Sequence, residues 1–202
     1  MKIIAAGMNY RPHIGELGFV EPLEPVLFLK PDSALATDKM PFFIPDFAKR
    51  FDYETEIVIR ISKLGKNIAE KFAYRYYDAW TVGLDMTARD LQDEARQKSL
   101  PWSICKGFDQ SAIVGDFLPV DRENVQATDF HMDLNGQTVQ KASTADMIFS
   151  IDRLVSYASR FFTLKTGDLI FTGTPYGVGP VHINDVLEAW LGENKVLNLR
   201  VK

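Results

Sequence analysis

Residues 51–61 read FDYETEIVIRI, and this segment constrains the fold more than any other stretch of the chain. Its odd positions are all β-branched or aromatic: Tyr53, Thr55, Ile57, Ile59 and Ile61. Alternation with a period of two is typical of a half-buried β-strand. The opposite face carries Glu54 and Glu56, whose Cβ atoms lie about 7 Å apart in an extended strand. The segment therefore predicts a strand with two carboxylates side by side.

The Glu54/Glu56 pair has two interpretations. Taken alone, it is typical of the solvent-exposed face of an ordinary strand. Neighbouring carboxylates repel each other unless a cation lies between them, and carboxylate oxygens suit Mg²⁺, Mn²⁺ or Ca²⁺. Asp85 ends a predicted strand over residues 79–85 and supplies a third carboxylate, unless it merely complements the dipole of the following helix. Zinc is not expected, because no Cys/His cluster has zinc spacing.

The rest of the chain is rich in short strands, with a few helices between them. Asn135-Gly136 is a strong signal for a two-residue hairpin turn. Thr87 and Ser150 are predicted helix N-caps, with Asp90 completing a capping box after Thr87. Further strands are predicted at 2–6, 25–30, 130–134, 137–140, 169–171, 186–190 and 195–201. Helices are predicted at 68–77, 87–98 and 151–162. A long loop is predicted at 31–50, and a short extended segment at 102–106. Because strands and helices do not alternate regularly, we expect an α+β fold with a mostly antiparallel or mixed sheet.

Three polar residues stand out near the predicted strand ends. Arg89 and Gln92 share one face of the predicted helix over 87–98, which is otherwise read as a solvated helix face. Lys106 lies among apolar neighbours, and a buried ammonium group needs a partner. That partner is either part of a site or a structural ion pair such as one with Asp109.

A histidine and a glutamate near the N-terminus are spaced as a possible dyad. In a single helical turn His13 and Glu16 lie on the same side, so that Glu16 orients the imidazole and His13 accepts a proton from water. The alternative is an exposed loop histidine. The Gly-rich segment 172–180 lacks the spacing of a phosphate-binding or dinucleotide-binding loop, but its amides and Thr hydroxyls suit a carboxylate. Cys105 is interpreted as a core residue.

Composition limits the kind of protein and its partners. With 202 residues, 46% of them hydrophobic, we expect one domain over 1–202. A net charge of −4 and a pI of about 5.4 argue against a nucleic-acid-binding footprint. No window approaches the ~18 apolar residues of a spanning helix, and the N-terminal apolar run is too short for a signal peptide. We therefore expect a soluble, cytoplasmic protein without a membrane partner.

Taken together, the motifs of this chain resemble the fumarylacetoacetate hydrolase superfamily. They follow the family's order: NYRPHIGE at 9–16, EPVLFLKP at 24–31, YETEI at 53–57, GLDMTARDLQDE at 83–94, LPWSICKGFD at 100–109 and LKTGDLIFTGTPYGVGP at 164–180. The stretches LDMTARDLQDE at 84–94 and KSLPWS at 98–103 look most like the small, single-domain acylpyruvase/oxaloacetate decarboxylase branch. Gly107 departs from that branch, which tends to have Ser there.

The resemblance implies a fold and a set of functional residues. It implies a mixed, mostly β rolled sandwich with a few helices, usually assembled as a homodimer. It also implies Mg²⁺ or Mn²⁺ held by Glu54, Glu56 and Asp85, and a water-activating dyad, His13 and Glu16, on a lid. Lys106 matches the family lysine beside the metal. The matching substrate-side positions are Arg89, Gln92 and Thr174.

These expectations favour hydrolysis of an acylpyruvate-type 2,4-diketo acid to pyruvate and a carboxylic acid. Water activated by His13 attacks the distal carbonyl, and the metal and Lys106 stabilise the negative charge of the departing pyruvate enolate. Oxaloacetate decarboxylation and isomerisation of an unsaturated 2-oxo diacid are the enzymatic alternatives. The non-enzymatic alternative is a metal-dependent protein that binds small keto acids.

Overall fold

The computed structural model describes residues 1–11 and 21–202, so His13 and Glu16 lie outside the described residues. The strands, β1 to β15 in chain order, are Ile3–Gly7, Val26–Lys30, Leu35–Thr37, Phe51–Tyr53, Thr55–Ile61, Tyr77–Asp85, Thr87–Ala88, Ala112–Val114, Leu118–Pro119, Asp129–Leu134, Gln137–Ser143, Leu169–Phe171, Gly179–Pro180, Val186–Leu191 and Asn194–Arg200. The α-helices α1 to α3 are Arg89–Gln97, Ser103–Lys106 and Ile151–Phe161, and 3₁₀ turns occur at Asp32–Ala34, Glu70–Arg75 and Thr144–Asp146.

The strands form a large mixed sheet, a four-stranded antiparallel sheet and a small three-stranded sheet. The large sheet has the order β2-β1-β12-β5-β6-β8-β3, with β9 also paired to β6. Strand β1 pairs in parallel with β12, and β3 with β8, while the other pairs are antiparallel. The second sheet, β11-β10-β14-β15, contacts β5 and β6. This arrangement confirms the predicted α+β class with a mixed, rolled β-sandwich.

Strand β5 lies in the middle of the large sheet and is buried on both faces, with Arg60 as its one exposed residue. Ile57, Ile59 and Ile61 on one face join the core between the two large sheets. Val58 on the other face joins a second core with Ile3, Ala5 and Phe171 among its members. The strand predicted over 51–61 is divided at Glu54 into β4 and β5, which belong to different sheets. Because β5 is covered on both sides, the interpretation of the Glu54/Glu56 pair as an ordinary solvent-exposed strand face was wrong.

Two structural elements were predicted correctly from local sequence signals. Asn135 and Gly136 connect β10 to β11 with φ values of 54° and 79°, the left-handed conformations that a two-residue type I′ turn requires. Ser150 caps α3, because its side-chain oxygen accepts a hydrogen bond from the Arg153 amide at 3.1 Å. The predicted hairpin and the predicted third helix are confirmed.

Two predictions around α1 were wrong for reasons that bear on the site. Thr87 does not cap this helix: the residue belongs to β7, and its hydroxyl contacts Lys106 instead of the helix amides. Asp90 accepts a hydrogen bond from the amide of Lys49. The segment 102–106, predicted to be extended, contains the helical turn α2.

Three smaller corrections concern other elements. The helix predicted over 68–77 is a 3₁₀ helix, Glu70–Arg75, after which β6 begins at Tyr77. Strand β2, predicted to be buried, is an edge strand with only its last residue, Lys30, buried. Strand β9, Leu118–Pro119, lies in a segment for which no strand was predicted. Among the described residues, no helix is long and apolar enough to cross a membrane.

Candidate metal centre

Strand pairing brings three acidic side chains together at one end of β5 and β6. Glu54 lies between β4 and β5, and Glu56 is paired in register with Gly83 of β6. Asp85 is two residues beyond Gly83, and its amide donates a hydrogen bond to the Glu54 carbonyl at 2.8 Å. Carboxylate oxygens of Glu54, Glu56 and Asp85 lie within 4.8 Å of one another. All three side chains are buried.

Lys106, the last residue of α2, joins two of these carboxylates. Its Nζ donates hydrogen bonds to Glu54 Oε2 at 2.7 Å, Asp85 Oδ2 at 2.8 Å and the Thr87 hydroxyl at 2.6 Å. Burial lowers the pKa of Lys106, but Asp85 and Glu54 outweigh that effect and raise the pKa above its usual range. Lys106 is therefore a buried, charged ammonium whose partners are the acidic side chains of this centre. The alternative prediction, an ion pair between Lys106 and Asp109, was wrong, because Lys106 pairs with Glu54 and Asp85.

Lys30, the last residue of β2, is a second buried cation that the sequence analysis did not single out. Its Nζ lies 2.6 Å from Asp85 Oδ1, and it also donates to the Ser111 carbonyl at 3.0 Å and to the Lys106 carbonyl. Burial lowers the pKa of Lys30, and Asp85 opposes that shift. One sequence signal for Lys30 was available: this lysine directly follows the apolar residues 26–29 and precedes Pro31. A lysine in that position can reach from the end of a strand to a buried carboxylate.

Arg89, the first residue of α1, holds Glu54 from the other side. One terminal nitrogen donates to Glu54 Oε1 at 2.7 Å, Nε donates to Asp52 Oδ2 at 2.8 Å, and the remaining nitrogen donates to the Gln92 side-chain oxygen. Burial opposes the charge, but Glu54 and Asp52 together raise the pKa of Arg89 above its already high value. Arg89 and Gln92 are buried, so the interpretation of a solvated helix face was wrong.

Asp52 is a buried carboxylate behind the three acidic residues. It accepts hydrogen bonds from Arg89 and, at 2.7 and 3.0 Å, from the guanidinium of Arg50. Asp52, Glu54 and Glu56 occupy alternate positions in the sequence, so the alternation that indicated the two glutamates also indicated Asp52. Asp52 fixes the guanidinium that in turn fixes Glu54.

The formal charges of this cluster balance one another, although Arg50 is exposed and the other seven side chains are buried. Four carboxylates contact or adjoin four cationic side chains: Asp52, Glu54, Glu56 and Asp85 on one side, and Lys30, Arg50, Arg89 and Lys106 on the other. The Oε2 atom of Glu56 accepts a hydrogen bond from the Gly173 amide at 2.7 Å. Burial raises the pKa of Glu56 well above its usual range, and the charges of Asp85 and Glu54 raise it further.

The loop after β12 supplies this amide. Gly173 has a φ of 99°, and an added Cβ would lie 2.7 Å from the Cβ of Asn9, so a side chain there would be strained. The next residue, Thr174, accepts a hydrogen bond from the side-chain nitrogen of Gln140 at 2.9 Å. Gln140 of β11 also accepts from the Thr55 amide at 2.9 Å. This one side chain therefore links the loop to the start of β5.

A cleft opens above the acidic residues, bounded by the end of β1, the face of α1 and the segment around α2. Its lining residues are Ala6, Gly7, Met8, Phe28, Glu54, Glu56, Asp85, Gln92, Arg96, Trp102, Lys106 and Thr174. Gln92, Lys106 and Thr174 had been selected from the sequence as site residues. Arg89 lies behind Glu54 and does not line the cleft. Met8, Phe28, Arg96 and Trp102 were not singled out.

The three carboxylates fit a hard divalent cation. Mg²⁺ binds oxygen at about 2.0–2.1 Å, so two ligands on opposite sides of the ion lie about 4.2 Å apart. Oxygens within 4.8 Å of one another reach that geometry by small side-chain movements. The donors are all carboxylate oxygens, as Mg²⁺ or Mn²⁺ prefers, and the ammonium of Lys106 already bridges Glu54 and Asp85 at hydrogen-bond distance. Glu54, Glu56 and Asp85 would hold such an ion.

Comparison with known proteins places this site in a family context. A family model described as fumarylacetoacetate (FAA) hydrolase, C-terminal, matches residues 2–202. A mitochondrial oxaloacetate tautomerase of Bos taurus is 39% identical over 201 residues, which cover 99% of this chain and 90% of that protein.

Two solved structures have the same fold and different named activities. Fumarylpyruvate hydrolase from Pseudomonas aeruginosa, in complex with Mn²⁺ and pyruvate, is 34% identical, with a TM-score of 0.93 over 100% of this chain and 89% of that chain. The 2-hydroxyhepta-2,4-diene-1,7-dioate isomerase from Mycobacterium marinum is 30% identical, with a TM-score of 0.87 over 99% of this chain and 73% of that chain.

Proposed function

This chain belongs to the fumarylacetoacetate hydrolase family, and on that premise we propose that it is a divalent-metal-dependent enzyme that cleaves a C–C bond in an acylpyruvate-type 2,4-diketo acid. The products are pyruvate and a carboxylic acid. One observation carries the proposal: three buried carboxylates lie within 4.8 Å of one another, and a charged lysine is fixed against two of them. The metal is Mg²⁺ or Mn²⁺.

The side chains around the acidic residues suit the stabilisation of an enolate. When bound, the metal supplies Lewis-acid chemistry and an anchor for the 2-oxo acid. Lys106 holds a positive charge at a fixed position beside that anchor, where negative charge develops as pyruvate departs. Arg89 and Asp52 keep Glu54 oriented, so the anchor does not move during the reaction. Gln92 and Thr174 line the cleft and can orient the substrate.

Hydrolysis additionally needs an activated water molecule. We assign this task to His13 and Glu16, which lie outside the described residues. His13 accepts a proton from water, and the resulting hydroxide adds to the distal carbonyl carbon. The C–C bond then breaks, its electron pair passes to the enolate of pyruvate, and protonation of that enolate completes the reaction.

A second candidate is oxaloacetate chemistry, either tautomerisation or decarboxylation, in the same cleft. The observation that favours it is the named activity of the Bos taurus relative, which matches almost the full length of this chain. These reactions also pass through an enolate but need no attacking water. Isomerisation of an unsaturated 2-oxo diacid, the named activity of the Mycobacterium marinum relative, shares this property.

The test is product detection by NMR, with a panel of acylpyruvates, oxaloacetate and an unsaturated 2-oxo diacid in the presence of Mg²⁺ or Mn²⁺. We expect pyruvate and a carboxylic acid from acylpyruvates, and His13→Ala should abolish their formation. His182→Ala, which changes an exposed histidine outside the cleft, is the matched control. Turnover of oxaloacetate that survives His13→Ala, without acylpyruvate cleavage by the wild type, would establish the second candidate instead.

Loss of the acidic side chains tests the metal role separately. Glu54→Ala should remove both Mn²⁺ binding and turnover, and full turnover in that variant would disprove the assignment. Homodimeric assembly and a cytoplasmic location stay predictions, to be measured by light scattering and by microscopy of the tagged protein.

A further inference from the structure

Gln140 is a buried amide side chain that lies directly behind the wall of the cleft. It belongs to β11 of the four-stranded sheet and is 1% exposed. Its hydrogen-bond partners belong to other parts of the chain, namely the start of β5 and the loop that follows β12. Thr174 of that loop lines the cleft, so Gln140 reaches the cleft through this neighbour.

The orientation of the Gln140 amide is fixed by its partners. Its Oε1 accepts a hydrogen bond from the Thr55 amide at 2.9 Å. Its Nε2 donates to Thr174 Oγ1 at 2.9 Å and to the Pro175 carbonyl at 3.0 Å, and the Tyr176 carbonyl lies 3.5 Å away. The reversed amide would place its oxygen against two carbonyl oxygens and its nitrogen against an N–H group. The amide nitrogen therefore faces Thr174.

Direct backbone contact between the loop and β11 keeps Gln140 and Thr174 together. A Cβ added at Gly177 would lie 2.2 Å from the Val139 carbonyl oxygen and 3.3 Å from Gln140 Cγ. At that separation the loop backbone packs against the strand with no room for a side chain between them. Because a close-packed interior resists small displacements, the fold sets the distance from the Gln140 amide to the Thr174 hydroxyl.

The hydrogen bond from Gln140 determines which way the Thr174 hydroxyl points. A hydroxyl group offers one proton and two acceptor lone pairs, and the Gln140 amide occupies one lone pair. Among the described residues, the donor contact of the hydroxyl itself is with the Pro175 carbonyl, at the long distance of 3.5 Å. That carbonyl already accepts from Gln140 at 3.0 Å. The Thr174 proton is therefore available to a ligand in the cleft.

We propose that Gln140 is a positioning residue that makes Thr174 a hydrogen-bond donor to the carboxylate of a bound 2-oxo acid. This inference rests on the proposed function, which places a 2-oxo acid in the cleft. Gln140 donates to one Thr174 lone pair and also occupies the competing Pro175 carbonyl. Without Gln140, that carbonyl would accept the Thr174 proton, and the ligand carboxylate would face an oxygen lone pair instead of a donor.

A double-mutant cycle on ligand binding tests this role without depending on turnover. The ligand is pyruvate, and its affinity for the Mn²⁺-loaded protein is measured from the broadening of its methyl NMR signal. Thr174→Val should weaken pyruvate binding about tenfold to a hundredfold, the range for a hydrogen bond to a charged group. Gln140→Met should weaken it by a similar factor. The double variant should be no more than about twofold weaker than Thr174→Val alone, because the two changes remove one interaction.

Three outcomes of this cycle would overturn the role of Gln140. They are an absence of pyruvate binding in wild type, unchanged binding in Gln140→Met, and factors that multiply in the double variant. Multiplying factors would mean that Gln140 and Thr174 act independently.

Mn²⁺ affinity distinguishes this role from a purely structural one. The hydrogen bonds of Gln140 go to none of the three carboxylates, and Thr55 stays paired with Leu84 of β6 when Gln140 is replaced. Mn²⁺ binding in Gln140→Met should therefore weaken by less than the about tenfold loss expected for a residue that orients a metal ligand. A fall in Mn²⁺ affinity as large as the fall in pyruvate affinity would show that Gln140 acts through β5, and the proposed role would be wrong.

Gln137→Met is the matched control, because it makes the same change at an exposed position of the same strand. It should leave both affinities unchanged. A thermal melt shows whether Gln140→Met is folded. If it is not, Gln140→Glu replaces it in the cycle, because the ionised carboxylate still accepts from the Thr55 amide but cannot donate to Thr174. Factors that multiply in the Gln140→Glu cycle would again overturn the role.

The two proposals fail in different ways. If Gln140 and Thr174 are coupled in pyruvate binding but no acylpyruvate is cleaved, the proposed reaction is wrong and the role of Gln140 stands. If acylpyruvates are cleaved with the same KM and kcat in wild type and Gln140→Met, the role of Gln140 is wrong and the reaction stands.

Discussion

Strand β5 and the residue before it have two buried faces with opposite energetic roles. Ile57, Ile59 and Ile61 are fully buried on one face, where each large side chain contributes about 1.5–3 kcal/mol to folding. Glu54 and Glu56 are buried on the other face, where removing a charge from water costs several kcal/mol before its partners compensate. Burial of the apolar face therefore provides the stability that keeps the acidic face assembled. Changes on the two faces should therefore separate stability from function.

The largest expected effect is on the acidic face. Glu56→Gln should lower Mn²⁺ affinity and turnover about a thousandfold or more, because it removes a ligand from an ion that supplies several kcal/mol of charge stabilisation. The midpoint of thermal unfolding should stay the same or rise, because burial and the like charges of Asp85 and Glu54 disfavour the ionised form of Glu56. Calorimetry measures Mn²⁺ affinity and the unfolding midpoint, and steady-state kinetics measure turnover. Glu193→Gln, in an exposed turn, is the control.

The opposite pattern is expected on the apolar face. Ile59→Ala should lower the free energy of unfolding by about 2–5 kcal/mol, because it leaves a cavity between the two large sheets. Metal affinity and kcat of the folded fraction should change less than about threefold. Urea unfolding measures this free energy. Arg60→Ala, at the exposed position of β5, is the control and should lower the free energy of unfolding by less than about 1 kcal/mol. A large loss of metal affinity in Ile59→Ala would show that the two faces are not separable.

Asp52 tests how far the acidic face extends behind the cleft. Asp52→Asn should weaken Mn²⁺ binding about tenfold to a hundredfold, the usual cost of losing a residue that orients a metal ligand. The reason is that Arg89 loses its charged partner and can no longer fix Glu54. Asp78→Asn, which changes a surface ion pair with Arg60, is the control for charge. If Asp52→Asn binds Mn²⁺ like wild type, the network only stabilises the fold.

The smallest expected effect is that of pH, and it has opposite signs for stability and for metal binding. The pKa of Glu56 in the folded, metal-free protein is raised above its ordinary value of 4.5. Its contribution to stability is therefore present below that ordinary value and is lost as the pH rises through the folded-state pKa. Metal binding requires the ionised carboxylate, so Mn²⁺ affinity should fall by up to about tenfold for each pH unit below the folded-state pKa.

The measurement is a pair of pH series on chelator-treated protein, one of unfolding by urea and one of Mn²⁺ titration. Glu56→Gln should lose the Glu56 component of the first series relative to wild type. An unfolding profile that is identical in wild type and Glu56→Gln would contradict the assignment of the raised pKa to this residue.

Strong local signals were sufficient for much of the fold. The Asn135-Gly136 turn and the Ser150 cap depend on neighbours in sequence, and each predicted the right element. The alternation of residues 51–61 predicted strand conformation correctly but not the break at Glu54 between β4 and β5. Burial of the second face of β5 could not be predicted, because it depends on chain segments far away in sequence, including β12 and α2. Thr87 shows the same limit: its local pattern fits a helix cap, but Lys106 occupies its hydroxyl.

The candidate site could be predicted in part. Glu56 and Asp85 come from the adjacent strands β5 and β6, and Glu54 directly precedes β5, so alternation and strand ends indicated all three, and the structure brings them together. Lys30 and Asp52 were missed because their significance lies in contacts with residues 55 and 37 positions away in the chain. No local pattern distinguishes a lysine at the end of an edge strand from one that reaches a buried carboxylate.

The balance of buried charges has a consequence for how the protein matures. Because Lys30, Arg89 and Lys106 each have a carboxylate partner within the same cluster, the buried cations of this centre do not need a metal ion to bring in a counter-charge during folding. An ion that bound to the three carboxylates would therefore exchange for an ammonium group on a preformed scaffold, taking over carboxylate oxygens that Lys106 holds.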